Sequence, residues 1–212
     1  MENAEVLIST SYLPSIYYFN KIISASAITV EAMENYPKQT LRNRCFIYAA
    51  NGPLCLTIPI QKKERQFQVV KDIMIDYTYP WQKIHWRSIV SAYNSSPFFM
   101  YYDYLLEPFY NKKIKFMLDF NNELLDKVLN DILKFKAGIN VTKDYTIKAE
   151  NSNDLRYLCN SKSYKNQYSS ISFKEYYQVF AAKHGFIPNL SIVDLLFNEG
   201  KSAGEYLKCK WY

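Results

Sequence analysis

Histidine is the scarcest reactive residue in this chain: 212 residues carry two, His85 and His184. HExxH and paired-histidine metal motifs are therefore excluded. Glycine numbers only 5. No GxGxxG occurs, and no GxxxxGK followed by Ser or Thr, so the usual glycine-rich phosphate cradles are absent. There is no GxSxG elbow, and no acidic pair in a DxD arrangement to support a metal-dependent sugar-nucleotide site. The 4 cysteines (Cys45, Cys55, Cys159 and Cys209) show no CxxC spacing and no grouping with histidine. They read as reduced, buried thiols and not as zinc ligands. No metal and no cofactor is expected. No stretch approaches the ~18 apolar residues of a membrane-spanning helix. The opening Met-Glu-Asn-Ala-Glu lacks the basic and apolar regions of a secretory signal, so a cytoplasmic location is the expectation.

What is present is an ordinary globular composition, 49% hydrophobic and 22% charged, in a length suited to one domain over residues 1–212. The 26 Lys and Arg outnumber 20 Asp and Glu, and Tyr reaches 20. A basic, aromatic nucleic-acid surface would need that charge gathered on one face. It is spread evenly instead, its longest groups as short as Lys112-Lys113-Ile114-Lys115. No nucleic-acid partner is expected, and nothing in the composition indicates an oligomeric state.

The hydrophobic pattern predicts a strand over Glu5 to Thr10, a helix over Ser15 to Ser26 opened by Pro14, and a strand over Ala27 to Met33. That order makes a βαβ unit. Arg44 to Ala50 and Leu54 to Ile60 predict a hairpin closed at Asn51-Gly52. Cys45, Ile47 and Ala49 would then share an apolar face with Ile58, Leu56 and Leu54. Val69 to Tyr77 reads as a strand. Trp81 to about Tyr110 reads as helix broken at Pro97. Asn121 to Phe135 reads as a further helix, and Asn140 to Lys148 as a strand. Asp154 to Ser172 reads as a mobile loop. Capping boxes at Ser172/Glu175, Ser191/Asp194 and Ser202/Glu205 predict three helix starts, with Gly185 and Gly200 as helix ends. In that reading Ser191 and Asp194 serve the helix start, weighed against a catalytic role for Asp194.

Two constellations could carry chemistry. Arg42 and Arg44 would sit on one face of a strand, roughly 7 Å apart, beside Phe46, Tyr48 and Thr57, with Lys38 just upstream. Paired guanidiniums against aromatic walls suit a phosphate or carboxylate; the alternative is a solvated surface strand. In Trp81-x-x-x-His85-Trp86-Arg87, His85 flanks a helical apolar stripe of Trp86, Ile89, Val90 and Tyr93. It reads either as a general acid–base or as a core-edge imidazole bonded to a backbone carbonyl. His184 reads as a helix C-terminal cap. Pro188-Asn189-Leu190-Ser191 leads into a helix N-terminus that could accept an anion.

Taken together the motifs resemble the WbqC-like protein family. They are Tyr12-Leu13-Pro14 with Tyr17-Tyr18-Phe19, Tyr36-Pro37-Lys38-Gln39-Thr40-Leu41-Arg42-Asn43-Arg44-Cys45, and Asn51-Gly52 with Leu56-Thr57-Ile58-Pro59-Ile60. Next come Trp81 with His85-Trp86-Arg87-Ser88-Ile89 and Ala92-Tyr93, then the string from Phe186 to Gly200. Thr10-Ser11 stand where many members carry Gln-Pro, so no role for a glutamine there carries over. The resemblance implies a place in O-antigen or other cell-surface polysaccharide biosynthesis.

These readings together give an α/β fold, a single domain with a mixed, mostly parallel sheet flanked by helices and a hairpin at about 44–60. The site is expected at the N-terminal βα turn, since crevices in open α/β sheets form beyond strand carboxyl ends. The expected activity is a metal-independent transferase using a phosphate-bearing small-molecule donor (sugar, acyl or aminoacyl). His85 and Asp194 would be its catalytic residues. Tyr12, Lys38, Arg42, Asn43, Arg44, Arg87, Asn189 and Asn198 would bind substrate. The alternative is a non-catalytic binding or assembly protein of the same pathway.

Overall fold

A computed structural model describes residues 5–61, 68–136, 138–147, 153–160, 171–209 and 211. Strand β1 (Val6–Ser9) is buried along its whole length. It runs parallel to β2 (Ile28–Glu31), Val6 opposite Ile28 and Ser9 opposite Glu31. Helix α1 (Ile16–Ile22) links them, its first turn capped by the Ser15 hydroxyl, which accepts from the Tyr18 amide. Strand β5 (Ile139–Val141) adds to the far side of β2, also parallel. Leu7 in turn bridges Asp154 beyond β1. A sheet buried on both faces explains why β1 reads as an unbroken Val-Leu-Ile run and not as an alternation.

The hairpin forms from β3 (Arg44–Ala49) and β4 (Gly52–Thr57), a separate antiparallel pair. Arg44 faces Thr57 and Ala49 faces Gly52, so the turn sits at Ala50-Asn51, displaced from Asn51-Gly52. This register puts Pro53 opposite Tyr48, whose amide donates outward to the Tyr93 hydroxyl at 3.0 Å. The proline's missing N–H is thus not required. Because the pairing moves by two residues, side-chain parity is unchanged. Cys45, Ile47, Leu56 and Ile58 still face the core together.

Helices α2 (Trp81–Tyr93), α3 (Phe99–Leu106) and α4 (Pro108–Asn111) follow, with Pro97 in the first break. Helix α5 (Met117–Asp126) starts four residues before the expected position and passes into a π-helical stretch, Lys127–Ile132. The expected strand at 69–77 is instead a 3-10 turn, Val70–Asp72, followed by single bridges from Met74 and Ile75. Its apolar residues Val70, Ile73 and Ile75 are all buried, so burial without a ladder produced the strand-like pattern. The strand expected at 140–148 covers only Ile139–Val141, and Lys148 lies outside the described residues. Of the expected loop, residues 154–160 carry a 3-10 turn, Arg156–Cys159, and 161–170 lie outside the description.

Helices α6 (Ala181–His184), α7 (Ile192–Glu199) and α8 (Ala203–Lys208) complete the chain. None is closed by a capping box. Residues 171–178 are not helical, and neither Ser191 nor Ser202 makes a side-chain cap bond. Gly185 and Gly200 do end helices with positive φ. No helix among the described residues is long and apolar enough to cross a membrane.

Candidate functional site

The polypeptide leaving β1 turns sharply to reach α1, with Leu13 at φ 39°. Against this turn packs the start of β3, and between them lies a small open cleft. Ser11, Leu13, Pro14 and Ser15 form one wall; Leu41, Arg44, Cys45 and Phe46 form the other, with Ser191 joining them. Ser191 is a clasp: its amide donates to the Phe46 carbonyl at 2.8 Å and its hydroxyl to the Leu13 carbonyl at 2.9 Å. The serine expected to cap α7 therefore stitches the cleft walls together. The position, beyond the carboxyl end of a parallel strand, is the expected one.

Arg44 supplies the cleft's charge. Its Nε is buried, and among the described residues it meets no hydrogen-bond partner. A buried, unpaired donor on a permanent cation is costly. Nearby, burial pushes the Tyr36 phenol up to about 12 against the pull of Arg44 and Arg42. The three serine hydroxyls are already engaged: Ser11 donates to Leu41, Ser15 accepts at the α1 cap, and Ser191 donates to Leu13. Burial pushes the Cys45 thiol well above its ordinary value, so it is no nucleophile.

Arg42 does not share the cleft. It lies in a 3-10 turn, Leu41–Asn43, and is 3% exposed. Its guanidinium grips Glu34 through Nε at 2.8 Å and Nη2 at 2.7 Å, and also reaches Ser9 and Thr40. Four of its five N–H groups are thus used within the protein. The expectation of a two-arginine anion site is corrected by this turn: one arginine is structural, and only Arg44 is available. Glu34, eight residues upstream, is the partner that sequence reasoning missed. A lone acid in an irregular segment has no periodic signal to reveal it. Asn43 donates to the Ile58 carbonyl, Lys38 is exposed, and neither lines the cleft.

His85 is likewise outside the cleft. It is 5% exposed and meets the Tyr12 hydroxyl through Nδ1 at 3.0 Å. That hydroxyl contacts Tyr110 at 2.9 Å. Burial holds the imidazole down to about 4, against the Thr57 bond that raises it. Tyr12 is fully buried, and Arg87 lies exposed on the outer face of α2.

Asp194 is buried in α7 beneath three donors: Tyr93 at 2.9 Å, Gln178 at 2.8 Å, and Tyr176. Burial raises its carboxyl to about 6 although all three bonds oppose the shift. It joins α2, α7 and the segment 176–178; it is neither a helix cap nor a cleft residue. Asn198 donates back to the Asp194 carbonyl. Asn189, at φ 54°, accepts from the Tyr17 amide. His184 in the last turn of α6 meets the Ala50 carbonyl at 3.0 Å. Among the described residues, no group of three or more His, Cys, Asp or Glu converges as a metal site would require.

The model of the WbqC-like protein family matches residues 10–181 and 156–206. A relative described as uncharacterized protein Rv1507c, from Mycobacterium tuberculosis, is 26% identical over 226 aligned positions, spanning 95% of this chain and 96% of its own. No solved structure matches.

Proposed function

Since the chain belongs to the WbqC-like protein family, we propose that it is a binding protein of cell-surface polysaccharide biosynthesis. Its ligand is a phosphate- or carboxylate-bearing small molecule whose anionic group is held by Arg44. The observation that carries this reading is that Arg44 lines a cleft while its buried Nε meets no partner among the described residues.

A transferase would need a titratable group near the ligand. His85 is buried outside the cleft and bonded to Tyr12, and Asp194 is held by its three donors. The cleft's own ionisable residues are Arg44 and Cys45. This favours binding over group transfer.

The test is thermal unfolding with inorganic phosphate, sugar nucleotides, acyl-CoAs and ATP, for the natural chain and for Arg44→Ala. Ligand at a hundred times its dissociation constant stabilises by about 2.7 kcal/mol, several degrees for a chain this size. The expected result is a shift with phosphate and with one ligand class, lost in Arg44→Ala, and no transfer product. Silence throughout, or a shift that survives in Arg44→Ala, overturns the anion site. Product formation would restore the transferase.

A further inference from the structure

We infer that two copies of this chain join through strand β4, pairing edge to edge about a two-fold axis at Cys55. The inference is independent of the anion-site reading above. It starts from the hairpin's bonding pattern. Ile58 donates to the Asn43 carbonyl at 2.8 Å, continuing the ladder one step beyond Arg44 and Thr57. In an antiparallel pair, bonded and non-bonded pairs alternate. Cys45, Ile47 and Ala49 therefore exchange bonds with Leu56, Leu54 and Gly52, while Arg44, Phe46 and Tyr48 turn their backbone groups outward. Two contacts on β3 agree: the Phe46 carbonyl accepts from Ser191, and the Tyr48 amide donates to Tyr93.

The same parity turns Pro53, Cys55 and Thr57 outward on the far edge of β4. That edge is open. The amides of Cys55 and Thr57 and the carbonyls of Pro53 and Cys55 meet no partner among the described residues. Pro53, Leu54, Cys55 and Thr57 are all exposed. An unpaired edge is a template for another strand.

A second copy is the occupant that fits it. Reversed about Cys55, the segment 53–57 reads onto itself: Cys55 lies opposite the partner's Cys55, and Thr57 opposite the partner's Pro53. The two Cys55 residues exchange both of their bonds, and each Thr57 amide donates to a Pro53 carbonyl. Each proline thus supplies the carbonyl it has and is not asked for the N–H it lacks. Neighbouring registers fit worse. An axis one residue later would oppose Pro53 to Pro59, and one residue earlier would set Thr57 against Asn51 in the turn. Side chains agree with the Cys55 axis. Leu54 is 37% exposed on the hairpin's core-facing side, and the pairing sets it against the partner's Leu56, so the apolar face runs on across the axis. The product is one antiparallel sheet, β3–β4–β4–β3, with Arg44 and Phe46 of both copies on its other face.

A pairing confined to 53–57 is smaller than a permanent interface, so the dimer should be reversible. Sedimentation equilibrium of the full chain, from micromolar to near-millimolar concentration, is expected to show monomer–dimer exchange. Cys55→Pro withdraws the amides at the axis and should raise the dimer dissociation constant at least about tenfold. Leu54→Lys, which puts a charge on the continued apolar face, should also weaken the dimer, and circular dichroism checks that both variants are folded. Met100→Lys, at an exposed methionine of α3, should leave the constant unchanged. Cys45 and Cys159 are buried, so in a Cys209→Ser chain a short bismaleimide should join Cys55 to the partner's Cys55, and this product should vanish with Leu54→Lys. A chain that stays monomeric throughout overturns the proposal. So does a dimer that survives both β4 variants, or one broken by Met100→Lys. A dimer without the Cys55 cross-link, while Cys55 still reacts with a simple maleimide, has its axis elsewhere and overturns it as well.

Discussion

Arg42 and Glu34 meet in a two-pronged pair, Nε to Oε1 at 2.8 Å and Nη2 to Oε2 at 2.7 Å, with the arginine side chain 3% exposed. Ser9, at the end of β1, accepts from the same guanidinium and donates to Glu34. The pair therefore ties the sheet to the segment that leads into the hairpin. Removing one partner leaves the other buried and unpaired, which costs about 3–5 kcal/mol. Arg42→Ala and Glu34→Ala should each lower stability to urea by that amount. Arg44→Ala, which loses no described hydrogen bond, should change it far less. Equal losses at 42 and 44 would contradict the division of labour between the two arginines.

Two buried groups titrate against each other. Asp194 is raised to about 6, so the folded state holds its proton more tightly than the unfolded state. Its contribution is complete below the ordinary aspartate value and is lost as pH rises from about 4 through 6. His85 is held down to about 4, so the unfolded state binds its proton more tightly. Its contribution is complete above about pH 6.5 and is lost as pH falls toward 4. Each amounts to roughly 3 kcal/mol, and over this window they oppose. In urea denaturation at pH 4.5 and 6.5, Asp194→Asn should show a steeper rise of stability with pH than the natural chain. His85→Gln should show a fall relative to it. Parallel pH profiles for all three proteins would refute the assignment.

The thiols divide by burial. Cys45 and Cys159 are buried, and Cys159 is pushed up to about 12 by burial. Cys55 and Cys209 are exposed, which corrects the expectation that all four are buried. Thiolate fraction and access govern alkylation. Iodoacetamide at pH 8 should label Cys55 and Cys209 in the folded protein and reach the other two only in denaturant, as read by peptide mass spectrometry.

Gly200 follows α7 at φ 57°, and a Cβ built there would come within 2.5 Å of the Phe98 ring. Gly185 has φ 77° but open space around it. Both glycines relieve backbone strain, while Gly200 also admits the aromatic ring. Gly200→Ala should therefore cost more than the roughly 1–3 kcal/mol of strain expected at Gly185→Ala. Phe98→Leu in the Gly200→Ala background should recover part of the difference in thermal unfolding. Equal losses at the two glycines would mean that the ring contact carries no weight.

Much of the backbone was legible because its signals are local. The Val-Leu-Ile run, the helical spacing after Pro14 and the second apolar run yield β1, α1 and β2 directly. The hairpin's inward face was legible even though its turn was misplaced, since a two-residue displacement preserves parity. Tyr48 and Pro53 show why the register itself was not: the Tyr48 amide goes to Tyr93, 45 residues away.

By itself, then, the amino-acid sequence determined the βαβ start, the apolar hairpin face, the helix break at Pro97 and the family. These depend on residues that are neighbours along the chain or on one face of one element. The tertiary structure alone decided which polar groups remain available to a ligand. Arg42 is taken by Glu34 and Ser9, His85 by Tyr12, and Asp194 by Tyr93, Tyr176 and Gln178. Among the described residues, the Arg44 Nε keeps an unpaired donor. Each outcome depends on a partner delivered by another element, because a buried polar group takes whichever complementary group the fold brings within about 3 Å. No periodicity along the chain encodes that distance.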